Sequence, residues 1–80
     1  MFFELPPTEH WPAKVLARTF SEVQLREGIA YLERVRTGKY TPGPEMFNLG
    51  ISPLDYTSEE IEAVQNRLAL AISYQRRKAA

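Results

Sequence analysis

A four-part phrase occurs twice in this chain, and it fixes where two helices begin. Phe20-Ser21-x-x-Gln24-Leu25 and Tyr56-Thr57-x-x-Glu60-Ile61 each read apolar, hydroxyl, two spacers, Gln or Glu, apolar. That order is a capping box inside a hydrophobic staple. The hydroxyl oxygen can accept from a free N–H of the first turn. The Gln or Glu can reach back to the N–H of the capping residue, and the two apolar residues set the angle of entry. The phrase predicts helices over 22–37 and 58–77, and it carries no chemistry of its own.

The stops are equally legible. Gly38 sits where a helix from Ser21 would need a residue with positive φ, and Pro42 prevents a restart. Upstream, Trp11-Pro12 predicts a short helix over 11–18, since a first turn has no use for the N–H that proline lacks. Val15, Leu16 and Thr19 are expected to face inward with Trp11. In the second helix Leu25, Ile29, Leu32 and Val35 form one apolar stripe, with Gly28, Tyr31 and Val35 beside it. In the last helix Ile61, Val64, Leu68, Ala71 and Ile72 form the main stripe, and Ala63, Leu70 and Tyr74 a second. Leu68 to Ile72 is thus apolar nearly all round, more than a small body is expected to cover.

Two segments resist a helical reading. Residues 1–10 hold Phe2, Phe3 and Leu5 ahead of Pro6-Pro7 and are expected to form an arm docked on the body. Residues 39–56 contain three prolines and two glycines, yet Met46, Phe47, Leu49, Ile51, Leu54 and Tyr56 are apolar, which predicts an ordered connection. Phe47, Leu49 and Ile51 alternate with small or polar residues, so a minor two-stranded element pairing 1–5 with 47–51 is one form the connection can take. The expected fold is mostly α: a single small three-helix domain with a docked arm and a long ordered connection.

Eighty residues can bury only a small core, and there is no cysteine to staple it. That makes a partner, or a second copy, an attractive source of extra stability. Ten basic residues balance ten acidic ones, against the excess of positive charge that phosphate neutralisation favours. Seven of the ten cations are Arg, which suits planar recognition contacts better than Lys. No apolar run approaches a membrane span. The opening MFFELPPTEHW lacks a basic leader, so a cytoplasmic protein is the expectation.

Catalytic and metal readings find little support. The chain has one His (His10), one Asp (Asp55) and no nucleophile-elbow serine. Asp55, Glu59, Glu60 and Glu62 lack calcium-loop spacing, and acids at a helix start have a plain role in complementing its dipole. No cofactor, metal site or catalytic set is therefore expected. The basic end, Gln75-Arg76-Arg77-Lys78, can likewise either complement a helix C-terminus or track an acidic surface.

The leading expectation is a non-catalytic protein–protein interaction module: an adaptor, inhibitor or assembly factor, as a homodimer or with another protein. Its size would suit an accessory protein of a virus or mobile element. The candidate contacts are Tyr40, Met46 and Phe47 on the connection and Leu70, Tyr74, Arg76 and Arg77 on the last helix, types that interfaces favour. The alternative is a small helical DNA-binding protein using helix 22–37 or the basic C-terminus. Glu22, Glu27 and Glu33 on that helix would repel phosphates.

Overall fold

The computed structural model of the chain describes residues 10–39, 43 and 55–79. Over these residues the protein is all-α, with α1 at Ala13–Thr19, α2 at Glu22–Arg36 and α3 at Ser58–Ala79. The expected arm before His10, the strand pairing of 1–5 with 47–51, and residues 40–42 and 44–54 of the expected 39–56 connection lie outside the described residues.

Both capping boxes form. In α2 the Gln24 N–H donates to Ser21 Oγ at 3.2 Å and the Ser21 N–H donates to Gln24 Oε1 at 2.9 Å. In α3 the Glu60 N–H donates to Thr57 Oγ1 at 3.1 Å and the Thr57 N–H donates to Glu60 Oε1 at 3.2 Å. The staple residues behave accordingly. Leu25 and Ile61 are buried, while Phe20 and Tyr56 pack half-buried against the core. Phe20 also stacks on Trp11, with ring centroids 5.9 Å apart, so the α1–α2 corner is closed by two aromatic rings.

The end of α2 is a Schellman motif. Gly38 has φ +82°, its N–H donates to Val35 O at 3.2 Å, and the Lys39 N–H donates to Arg34 O at 2.7 Å. A side chain in this left-handed conformation costs about 1–2 kcal/mol. No described residue lies within 4 Å of a Cβ built at Gly38, so backbone strain is the effect expected. Gly38→Ala is therefore expected to lower stability by about 1 kcal/mol with no change in packing, measured by urea denaturation. A neutral result would mean that α2 ends differently.

The core gathers at the meeting of the three helices. Ala13 and Leu16 come from α1, Leu25, Tyr31, Leu32 and Val35 from α2, and Ile61, Leu68 and Ala71 from α3. The main packing is of α2 on α3 and of α1 on α3, so α3 is the common partner. Gly28 is buried on the inner face of α2. One inward assignment on α1 needs correcting. Thr19 is exposed, with its hydroxyl spent on Val15 O at 2.8 Å, and Ala13 takes the buried place instead. A hydroxyl in the last turn can satisfy itself on a carbonyl four residues back and gains nothing from burial.

The apolar band on α3 is sided after all. Leu68 and Ala71 are enclosed, Ile72 is half-buried, and Ala69 and Leu70 face outward, Leu70 with 45% of its surface exposed. One large side chain therefore remains outside, rather than a continuous apolar patch.

Candidate functional site

Helix α1 has only seven residues, too few to persist alone. It is held from outside. The Gln75 side-chain amide on α3 donates to Ala17 O at 3.0 Å and also to Phe20 O, satisfying carbonyls at the end of α1. Gln75 thereby fixes the seam between α1 and α3, and along that seam opens a groove of about 630 Å³. Lys14, Ala17 and Arg18 line it from α1, and Tyr74, Gln75 and Arg77 from α3.

Among the described residues the lining contains three cations and no carboxylate. Lys14 and Arg18 lie one turn apart on the same face of α1, a rise of about 6 Å. Arg77 stands opposite, one turn beyond Tyr74 on α3. All three cations are exposed, whereas Ala17, Tyr74 and Gln75 are half-buried. The groove thus has a partly apolar floor and a basic rim. None of the three cations pairs with a carboxylate among the described residues.

Of the described ion pairs, one joins two helices and two lie within α2. Arg76 Nε lies 3.1 Å from Glu22 Oε1, tying the end of α3 to the start of α2, and Arg26 Nε reaches the same carboxylate at 3.2 Å. The hydrogen bond from Arg76 holds the Glu22 carboxyl below the usual range; desolvation opposes it, and the charges of Arg76 and Arg26 add to the lowering. Glu33 is lowered chiefly by its hydrogen bond from Arg36 and then by one from Gln65, whose amide also donates to Ile29 O at 3.1 Å. Glu33 in turn raises Arg36.

These depressed carboxylates give stability a sign with pH. Their contribution is complete above the ordinary glutamate range and is lost as pH falls through the lowered folded values. Thermal midpoints between pH 7 and pH 3 should therefore fall on the acid side, and Glu22→Gln should flatten the fall. Because both carboxylates are solvent-accessible, the effect is small and screened by salt. A Glu22→Gln profile parallel to wild type would remove Glu22 as a source of the acid dependence.

The candidate contacts are placed as follows. Tyr40, Met46 and Phe47 lie outside the described residues. Tyr74 and Arg77 come together in the groove, Leu70 lies one turn before Tyr74 on α3 and is exposed, and Arg76 is engaged with Glu22. Lys14 and Arg18 were missed by sequence reasoning. Their i,i+4 spacing was visible, but nothing in the sequence said which helix would lie beside that face. Gln75 belongs by sequence to the basic end of the chain, and in the fold it closes the seam.

No group of three or more His, Asp or Glu side chains that could hold a metal occurs among the described residues. Asp55, Glu59 and Glu62 are exposed around the start of α3, and Glu60 is occupied by its cap. Among the described residues no helix is long and apolar enough to cross a membrane. Comparison with family models, curated proteins and solved structures gives no match to this chain.

Proposed function

We propose that this protein is a non-catalytic interaction module that binds another protein through the α1–α3 groove. The observation that carries the reading is one groove lined by three cations, none paired with a described carboxylate, together with a half-buried tyrosine. Charges that serve only solubility are dispersed, and those that serve the fold find partners, as Arg26, Arg36 and Arg76 do. A tyrosine with arginines around it is the composition that binding hot spots favour. Leu70 extends the apolar part of the surface by one turn. In the cell such a module would act as an adaptor, inhibitor or assembly factor, and its cytoplasmic placement belongs to the same proposal.

The test is direct binding to a defined partner. Proteins retained by the immobilised full chain are identified by mass spectrometry, purified singly and titrated back. At least one should bind in a pairwise assay, and Arg77→Glu or Tyr74→Ala should weaken it by about tenfold or more, the scale of a hot-spot truncation. Tyr74 packs against the core, so its variant needs a melting curve beside it. Arg77 is exposed and its variant should fold normally. Pairwise binding untouched by both substitutions would remove the groove as the binding face.

A further inference from the structure

The charge pattern of the groove narrows its occupant. We infer that it takes an extended acidic segment of a partner protein, with carboxylates at alternate positions around an apolar side chain. This rests on the protein-binding reading above and deepens it.

Three features lead there. The first is sign: among the described residues Lys14, Arg18 and Arg77 line the groove, no acid does, and no carboxylate neutralises them. The second is spacing. Lys14 and Arg18 are separated by a helical rise of about 6 Å. Alternate residues of an extended chain project to the same side about 6.6 Å apart. Two carboxylates of such a segment meet two cations of α1 in register. The third is the floor. Ala17 and Tyr74 lie between the basic rims, half-buried, and offer apolar contact to a side chain pointing inward.

The same facts disfavour other occupants. A lone small anion would meet exposed cations, where each pairing yields about 0.2–1 kcal/mol, too little to hold it. A peptide adds several such pairings and an apolar contact on one backbone. A nucleic acid presents charge continuously along its length, and three cations on a chain of zero net charge neutralise only a short stretch of it.

The test uses the full-length protein and a fluorescein-labelled peptide in which glutamates alternate with serines around one central leucine. Fluorescence anisotropy should show saturable binding that weakens steeply with added salt. The same peptide with glutamine for glutamate should not bind. Arg18→Glu together with Arg77→Glu should weaken binding at least about tenfold, and Lys14→Glu alone should weaken it measurably. Lys39→Glu, which reverses an exposed charge away from the groove, should leave it unchanged. All of these positions are exposed, and circular dichroism checks that each variant folds.

Binding that ignores the Arg18 and Arg77 reversals overturns the inference. So does a single-stranded or duplex oligonucleotide that binds more tightly than the peptide. A mass that doubles in light scattering and reverts in the double reversal gives the groove to a second copy, and also overturns it. The two proposals fail separately. If the peptide does not bind but a purified partner still depends on Tyr74 and Arg77, the acidic occupant is wrong and the binding face stands. If the partner is indifferent to both residues, the face itself is wrong.

Discussion

Leu68→Ala should remove a large part of the stability of this protein, while Leu70→Ala, two residues along the same helix, should remove almost none. Leu68 is 1% exposed at the meeting of α3 with α1 and α2, and Leu70 is 45% exposed. Deleting a buried leucine side chain loses its transfer free energy and leaves a cavity, about 2–5 kcal/mol together. A small domain has only about 5–15 kcal/mol in all, so the lower end of that range already lowers the melting temperature by upwards of about 10 °C. A substitution at an exposed site away from any cap or pair should stay within about 0.5 kcal/mol. Urea denaturation of the two variants side by side gives the comparison. Similar losses at both positions would mean that the outward face of α3 is covered in solution, and would direct attention to self-association.

Gly43→Ala should cost about 1–3 kcal/mol, though Gly43 itself is exposed. A Cβ at this position would lie 2.6 Å from Cζ of Tyr31 and 2.8 Å from its Cε1. Tyr31 is 2% exposed and among the largest enclosed side chains, so its ring cannot swing away. Overpacking of this kind typically costs about 1–3 kcal/mol. An opposing gain comes from a stiffer unfolded chain, at most about 1 kcal/mol. Here that gain is smaller still, because Pro42 and Pro44 already restrict the chain on either side. The clash should therefore win. Its origin is tested by a double-mutant cycle: with Tyr31→Leu in place, Gly43→Ala should become nearly neutral, giving a coupling above about 1 kcal/mol. A Gly43→Ala protein as stable as wild type would mean that the chain at 43 does not rest on the Tyr31 ring.

Local signals in the sequence are legible because their physics is local. Ser21 with Gln24, and Thr57 with Glu60, satisfy orphan N–H groups within one turn, so residue identity and spacing were enough. Gly38 could be assigned its C′ role because the Schellman hydrogen bonds also close within a few residues. The pairs Glu22–Arg26 and Glu33–Arg36 are seen as i,i+4 and i,i+3 spacing anticipates. Errors arose where burial depends on a neighbour. Thr19 was placed inside and Ala13 overlooked, because the face of so short a helix is chosen by α3 and not by its own pattern.

The candidate site divides the same way. Tyr74 and Arg77 could be singled out by residue type and by their place near the end of an apolar helix. Lys14 and Arg18 could not, since their importance comes from lying across a seam from residues some sixty positions away. Arg76 and Arg77 are neighbours in sequence and looked equivalent, yet adjacent helical positions point about a hundred degrees apart. One reaches Glu22 on α2 and the other lines the groove.

Two helix starts, one helix stop and the inward stripes of α2 and α3 were determined by the sequence alone, because caps and amphipathic periodicity act over one or two turns. Which way α1 turns, what Gln75 holds and where three cations meet a tyrosine were decided only by tertiary structure. Those features depend on how α1 and α3 lie side by side, and no spacing within a single helix encodes that relation.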